Sequence, residues 1–388
     1  MSAQPPSVVV VGAGALGLAT AWQLTKRGVT DVAVIERGRV AGASSGLSVG
    51  IIETQYLDPL AIAVRVESMR SFAELEHTGA IDIVHNGYLR LGHRDEDLAA
   101  FERSVAIQRD LGVTDCRVLD RTDLRQLVPD LAVDDLAAGL YGPSDGYIDG
   151  HAYCEALAAM VRASGGRVLQ DTELVGCDPA PGDRLRLTTS RGAFDCDVVV
   201  NAAGGWAGRV GEIIGAPVEI LPQRHQALMG RLATPLDYVM PSIMDYVPSS
   251  GGFGVYIRDD GPGRFIAGLH TEEVIHDIVD PDEVGRDSPD EYVRLVAERL
   301  AQRLPSLLDM RLGDVWAGIY PMRPDGRPVV GPHPGRESVV TVAGAGGSGL
   351  QSSPALGRIA SDWIVDGRPT TIPAAAVFRP KPGPTPLG

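Results

Sequence analysis

Three glycines near the start of the chain, Gly12, Gly14 and Gly17, have the spacing of a nucleotide-binding turn. The turn follows a β-branched run and opens a segment with helical spacing, and Glu36 ends the next apolar run about 20 residues further on. Glycine lets the backbone approach a pyrophosphate, a helix N-terminus offers unpaired N–H groups, and Glu36 can accept hydrogen bonds from ribose hydroxyls. The pattern predicts a dinucleotide site. An acid at this place disfavours the 2′-phosphate of NADP, but the fingerprint alone does not separate NAD from FAD.

Two more glycine-rich turns occur later in the chain. An apolar strand at Val198 to Val200 runs into NAAGGWA at 201–207, and the segment 343–354 reads AGAGGSGLQSSP. Both turns can bring backbone N–H groups close to a ligand. They indicate that more of the chain than the first fingerprint serves the same site.

These turns must be positioned by regular elements. Ser7 to Val11, Leu16 to Gly28 and Asp31 to Ile35 predict a strand, a helix and a parallel strand. Further predicted helices are Asp58 to His77 (beginning at Pro59), Asp95 to Leu111, His151 to Ala163, Pro289 to Leu304 and one near Ser353. Further predicted strands are Tyr88 to Leu91, Arg167 to Gln170, Glu173 to Cys177, Leu185 to Thr189, Cys196 to Asn201 and a β-rich region from Pro217 to Leu269.

Length and composition narrow the protein class. At 388 residues, with 44% hydrophobic and 22% charged residues, the chain is expected to form a large α/β body or two lobes. This composition excludes disordered, collagen-like and coiled-coil proteins. The net charge of −15 would repel phosphate backbones, so no nucleic-acid partner is expected.

Cysteine and histidine usage bears on redox compartment and metals. The four cysteines form no CxxC pair, which favours reduced thiols and a cytoplasmic protein. Histidine spacing matches no metal-binding motif, so no metal is expected. The first charged side chain is Lys26, but the segment before it lacks a basic start and a cleavage-like site, so we expect no signal peptide and no membrane span.

Taken together, the motifs resemble the FAD-dependent D-amino-acid oxidase superfamily, in particular its sarcosine oxidase and glycine oxidase members. The matching segments are GAGALG at 12–17, Glu36 with Arg37, GASSG at 42–46, DGYID at 145–149, NAAGGWA, PDGRPVVG at 324–331 and the last glycine loop. The resemblance implies a Rossmann-type FAD-binding domain with an inserted β-rich antiparallel substrate domain. It places the FAD domain at 1–85, 143–216 and 326–370, the substrate domain at 86–142 and 217–325, and a flexible tail at 379–388.

The resemblance also implies the residues that hold FAD. The expected set is Gly12, Gly14, Ala15, Leu16, Gly17, Glu36, Arg37, Ser44, Ser45, Leu174, Ala203, Gly204, Trp206, Gly346, Gly347, Ser348, Gly349, Leu350 and Gln351. The residues from Gly346 to Leu350 would offer N–H groups to the pyrimidine edge of the flavin, where negative charge gathers on reduction. For Ser44 and Ser45, helix capping is the alternative interpretation.

Active-site positions follow in the same way. By the resemblance, the tyrosine and histidine of the β domain fall on Tyr256 and His270, and a second tyrosine falls on Tyr320. The arginine and lysine that bind the substrate carboxylate in sarcosine oxidases fall on Glu53 and Gln351. A simple α-amino acid therefore loses its expected clamp, and Arg323 or Arg258 is the expected replacement.

Three further departures concern the flavin. The cysteine for covalent attachment falls on Gly318, and the histidine used in dimethylglycine dehydrogenases falls near Leu47, so FAD is expected to be non-covalent. The lysine that promotes the reaction with oxygen falls on Ile266. This departure favours another electron acceptor, such as a partner protein.

The sequence thus predicts an FAD-dependent oxidoreductase that oxidises the C–N bond of an amine or amino acid to an imine by hydride transfer to flavin. Three alternatives stay open at this point. They are an α-hydroxy-acid dehydrogenase with His270 as base, a nicotinamide enzyme that uses the first fingerprint alone, and a flavin-bound subunit without catalysis.

Overall fold

The computed structural model describes residues 5–248, 250, 253–271, 278–285 and 290–381. Within this part of the chain the helices are α1 (Ala15–Lys26), α2 (Pro59–His77), α3 (Asp95–Asp110), α4 (Arg121–Leu127), α5 (Gly150–Ala163), α6 (Ala207–Ile213), α7 (Asp290–Arg303) and α8 (Gly349–Asp366). The strands are β1 (Val8–Val11), β2 (Val32–Ile35), β3 (Ile51–Ile52), β4 (Tyr88–Gly92), β5 (Arg117–Leu119), β6 (Ala138–Gly142), β7 (Gly146–Tyr147), β8 (Arg167–Leu169), β9 (Leu174–Ala180), β10 (Arg184–Thr189), β11 (Gly192–Cys196), β12 (Val198–Asn201), β13 (Leu221–Arg231), β14 (Ser242–Asp245), β15 (Gly254–Asp259), β16 (Arg264–His270), β17 (Arg311–Met322), β18 (Val329–His333) and β19 (Arg336–Ala343).

A six-stranded sheet forms the nucleotide-binding half. Its strand order is β18-β19-β12-β1-β2-β8, and β1 pairs in parallel with both β2 and β12. Every residue of β1 is buried, because helices α1, α5 and α8 cover one face of the sheet and a small β9-β10-β11 sheet covers the other. The predicted β-turn-α-β unit and the predicted fold class are confirmed.

An eight-stranded sheet forms the other half, in the order β17-β13-β16-β15-β14-β4-β6-β5. Its strands come from 88–142 and from 221–322. The sheet is antiparallel as expected except at one pair, because β14 and β4 run parallel. A parallel pair needs a long crossover, and here the chain between the two strands passes through the nucleotide-binding half. The predicted domain boundaries are not tested by this topology and stay a prediction.

Strand register in the large sheet sets the side chains that face the other half. In the β13–β17 pair, His225 lies opposite Gly318. In the β15–β16 pair, Tyr256 lies opposite Gly268, where an added Cβ would lie 2.5 Å from the Tyr256 hydroxyl. Gly268 therefore lets the Tyr256 ring lie across its neighbouring strand.

In the described residues, no helix is long and apolar enough to cross a membrane, and no cluster of potential metal ligands occurs. The four cysteines are free, and burial raises the pKa of the Cys196 thiol to about 12. Of the tail predicted to be flexible, residues 382–388 lie outside the described residues, whereas Arg379 pairs with Glu337 at 2.5 Å.

Candidate cofactor and substrate site

A cavity of about 510 Å³ lies where the carboxyl ends of β1, β2 and β12 meet the large sheet. We call it the cofactor cleft. Of the predicted cofactor residues, those that line it are Gly12, Gly14, Ala15, Leu16, Glu36, Arg37, Ser44, Ser45, Leu174, Ala203, Gly204, Trp206, Gly346, Gly347, Gly349 and Leu350. Ligands of open α/β sheets bind at this edge, outside the ends of the parallel strands.

The glycines of the first turn have two separate functions. Gly12 has φ +109°, and an added Cβ would lie 2.5 Å from the carbonyl oxygen of Ala202. At Gly17 an added Cβ would collide with the carbonyl oxygen of Gly12. These two glycines therefore shape the turn, and Gly17 does not line the cleft as predicted. Gly14 does line it, and a Cβ there would meet only the Ser45 hydroxyl, at 3.1 Å.

Polar groups complete this end of the cleft. Glu36 Oε2 accepts a hydrogen bond from the Ala13 N–H at 2.9 Å, which fixes the carboxylate at the end of β2. Ser45 Oγ accepts from the Ala15 N–H at 2.9 Å, so this serine contacts the first turn of α1 from a distant loop. Ser44 Oγ donates to the carbonyl of Ile319. The glycine cradle, the acid and the helix N-terminus fit a dinucleotide.

Asp282, in the described segment 278–285, lines the cofactor cleft beside Arg37 and Trp206. Asp282 Oδ1 accepts hydrogen bonds from Arg37 Nη2 and from Trp206 Nε1, both at 2.8 Å, and Arg209 Nη1 lies 2.5 Å from Asp282 Oδ2. The guanidinium of Arg37 stacks over the Trp206 ring at 4.2 Å. The hydrogen bond from Arg37 leads the interactions that lower the pKa of Asp282 to about 2. Asp282 lines the cleft and was not predicted from the sequence.

A smaller cavity of about 60 Å³ adjoins the cofactor cleft, and we call it the substrate pocket. The residues that line both are Ser48, Val49, Tyr256, Tyr320, Gly347 and Leu350. The pocket also contains the predicted Glu53, His270, Ser348 and Gln351. The structure therefore brings together five of the six predicted active-site residues, and Ser348 and Gln351 face this pocket rather than the cleft.

The two arginines expected to replace the carboxylate clamp do not line the pocket. Arg323 Nη2 lies 3.6 Å from Asp325, and the stem of Arg323 packs against Gly344. Arg258 donates from Nε to the carbonyl of Val49 at 2.6 Å and from Nη1 to Asp260 at 3.0 Å. Their placement corrects the expectation, because neither arginine is among the residues that line the substrate pocket.

Two other arginines line the pocket instead, and sequence reasoning missed both. Arg65, on α2, is 4% exposed and its Nε lies 3.1 Å from Glu53 Oε1. Arg90, on β4, donates to the carbonyls of Gln55 and Tyr246. The signal was available, since each is a single charge in a buried apolar run, AIAVRV in one case and YLRL in the other. Glu53 is therefore one half of a buried ion pair.

Aromatic rings form the wall between pocket and cleft. The rings of His225 and Tyr320 stack with centroids 3.7 Å apart, and His270 lies edge-on to Tyr320 at 6.3 Å. Burial lowers the pKa of His225 to about 3. Burial raises the pKa of Tyr256 well above its usual value. At neutral pH, His225 is therefore a neutral imidazole and Tyr256 a neutral phenol.

A family model and two known relatives match nearly the whole of this chain. A family model described as FAD dependent oxidoreductase (DAO) matches residues 7–363. Glycine oxidase of Geobacillus kaustophilus (strain HTA426) is 26% identical over 369 residues, which cover 92% of each protein. Mitochondrial dimethylglycine dehydrogenase of Rattus norvegicus is 25% identical over 376 residues, which cover 93% of this chain and 43% of the relative. The chain thus spans less than half the length of that relative.

Solved structures show the same fold over nearly all of the chain. The crystal structure of L-proline dehydrogenase from P. horikoshii aligns with a TM-score of 0.85 at 24% identity, covering 97% of each chain. Glycine oxidase from Geobacillus kaustophilus aligns with a TM-score of 0.79 at 25% identity, covering 98% of this chain and 100% of that one.

Proposed function

Because the chain belongs to the DAO family of FAD dependent oxidoreductases, we propose that it oxidises the C–N bond of an amine or amino acid to an imine. In this reaction the C–H bond beside nitrogen breaks, a hydride equivalent leaves the carbon, and the nitrogen loses a proton. FAD supplies the two-electron acceptor. Water then hydrolyses the imine.

One observation carries the proposal: the substrate pocket shares a wall with the cofactor cleft, and Tyr256 and Tyr320 belong to both. A small molecule in the pocket would lie against whatever ring occupies the adjoining end of the cleft. Proximity and orientation are the main requirements of this reaction, because little acid–base chemistry is needed. The neutral phenol of Tyr256 can position a substrate amine without adding charge to the wall.

The relatives support the same reaction type. Glycine oxidase and dimethylglycine dehydrogenase are named for substrates that carry an amine beside a carboxylate. In this chain Arg65 is paired with Glu53, so the pocket differs from a simple carboxylate-binding site. The substrate we propose is therefore an amine or amino acid other than sarcosine or glycine.

The test is anaerobic titration of the flavin with amines, amino acids and α-hydroxy acids. We expect an amine or amino acid to bleach the flavin absorbance. Bleaching by hydroxy acids alone would overturn the proposal in favour of the α-hydroxy-acid dehydrogenase alternative, in which His270 would act as base. A flavin that no compound in the panel bleaches would favour the alternative of a subunit without catalysis.

Two further predictions concern the electron acceptor and the location of the protein in the cell. We propose that an artificial dye or a partner protein accepts electrons faster than oxygen, because residue 266 is an isoleucine and supplies no positive charge to a developing superoxide. A cytoplasmic location also stays a prediction.

A further inference from the structure

The Glu53 carboxylate has one oxygen paired and one buried without a hydrogen-bond partner among the described residues. It is 3% exposed and lines the substrate pocket. Oε1 lies 3.1 Å from Arg65 Nε, whereas Oε2 accepts no hydrogen bond from any residue that the structure describes. An unpaired buried acceptor is unfavourable, and more so when it carries charge. A ligand that donates to Oε2 would remove this penalty.

The other contacts of Arg65 hold its guanidinium against Oε1 of Glu53. Its Nη2 donates to Ser348 Oγ at 2.9 Å, and its guanidinium stacks over the Tyr56 ring at 3.8 Å. A guanidinium fixed on both edges and one face cannot turn towards Oε2 without losing these contacts. With Oε1 occupied in this way, Oε2 is the oxygen left to contact a molecule in the pocket.

The charges around Glu53 favour a donor there and disfavour a carboxylate. Arg65 pairs with Glu53 Oε1, so a substrate carboxylate in contact with Oε2 would meet like charge in a buried site. Arg90, the other arginine of the pocket, donates to the carbonyls of Gln55 and Tyr246. The neighbouring Asp145 is fully buried, and burial together with Glu53 raises its pKa well above its usual range. Within this cluster it is Glu53 that contacts Arg65, with Oε1 3.1 Å from Nε.

The donor cannot be the reacting nitrogen itself. Oxidation of the C–N bond needs the nitrogen lone pair, whereas a carboxylate in contact with an amine stabilises the ammonium form, which has none. Resting on the amine oxidation proposed above, we infer that Glu53 Oε2 accepts a hydrogen bond from a second N–H or O–H group of the substrate. The substrate class is a diamine, an amino alcohol or an amino acid with a donor in its side chain.

Matched ligand pairs test this inference on the wild-type holoenzyme. The pairs are propylamine with diaminopropane, propylamine with aminopropanol, and norvaline with ornithine, titrated anaerobically against the flavin spectrum. In at least one pair we expect the member with the extra donor to bind about tenfold more tightly or more. Equal binding within every pair would overturn the inference. This experiment requires no variant protein.

Glu53→Gln then identifies the atom. Glutamine keeps an acceptor for Arg65 but removes the charge and presents an N–H₂ where Oε2 stood. We expect the preference within the pair to fall to about twofold or less. Glu67→Gln is the matched control, since Glu67 lies on the same helix as Arg65 and pairs with Arg70 at the surface. A preference that survives Glu53→Gln would overturn the assignment.

The same titrations distinguish failure of this inference from failure of the proposed function. If amines without the extra donor bleach the flavin as efficiently as their partners, the inference fails and the amine oxidation stands. If only α-hydroxy acids bleach it, the amine oxidation fails, and the inference that rests on it fails with it.

Discussion

The imidazole of His225 lies flat against the phenol of Tyr320, with ring centroids 3.7 Å apart and planes within 15° of each other. The contact joins two neighbouring strands at the wall between the cofactor cleft and the substrate pocket. Nε2 of His225 is buried without a hydrogen-bond partner among the described residues. Burial, with a smaller contribution from His270, lowers the pKa of His225 to about 3. The wall is therefore uncharged at this position throughout the neutral range.

This pKa predicts an acid-sensitive contribution to stability. Between pH 6.5 and about 3 the unfolded chain binds a proton at His225 that the folded protein does not, so the free energy of unfolding falls as the pH falls through this window. On going from pH 7.5 to 5, we expect the wild type to lose about 1 to 2 kcal/mol more than His225→Gln. Urea denaturation at both pH values, with saturating FAD, measures the difference.

His151→Gln is the control for this experiment, because His151 is exposed on α5. It should lose as much stability on acidification as the wild type. An identical loss in His225→Gln and in the wild type would show that His225 is not buried as a neutral group.

Gly14→Val should abolish FAD binding while the protein still folds. A side chain at Gly14 meets only the Ser45 hydroxyl and projects into the cofactor cleft, where the pyrophosphate is expected. The measurement is flavin content after purification, together with a circular dichroism spectrum. Gly176→Val is the matched control, since this glycine lies in β9, outside the cleft, and a Cβ there would be 3.6 Å from Thr188. A normal flavin content in Gly14→Val would contradict the site.

Asp282→Asn should weaken retention of FAD. The carboxylate receives hydrogen bonds from Arg37 and Trp206 across the cleft, and each exposed charged contact contributes about 0 to 1 kcal/mol. We therefore expect the dissociation constant for FAD to rise by about two- to tenfold, with a smaller dependence on salt than in the wild type. Equilibrium titration of apoprotein with FAD gives both values. Glu283→Gln, one residue away, should leave them unchanged, and an equal effect of the two variants would contradict a specific contribution of Asp282.

FAD should be released by acid. Gly318 and Leu47 offer no nucleophile to the cofactor, so precipitation with trichloroacetic acid should leave the yellow colour in the supernatant. Colour in the pellet would contradict this prediction. In that case His225, which lies opposite Gly318 and lines the cleft, would be the residue to replace first.

The cofactor end of the site could be predicted from the sequence because its determinants are local. Gly12, Gly14 and Glu36 belong to one strand–turn–helix–strand unit, and their spacing follows from its geometry. Helix α2 was predicted with the right bounds, since Pro59 marks its first turn. The parallel β14–β4 pair could not be predicted, because it depends on the path of some 150 intervening residues rather than on any local pattern.

The substrate pocket was harder to predict because distant segments build it. Arg65 and Arg90 come from α2 and β4, and no short motif links them. Arg323 and Arg258 were expected there because of their charge, but their ion pairs and carbonyl contacts hold them elsewhere. Residue type alone does not show which of several arginines is buried beside Glu53.

Product analysis of a single anaerobic turnover tests the central claim most directly. With the amine or amino acid that bleaches the flavin fastest, each equivalent of FAD reduced should yield one equivalent of carbonyl product and one of ammonia or free amine. This stoichiometry is the result expected for C–N oxidation followed by hydrolysis of the imine. Flavin reduction that yields a carbonyl product only from hydroxy acids, with no release of nitrogen from any amine, would contradict the account.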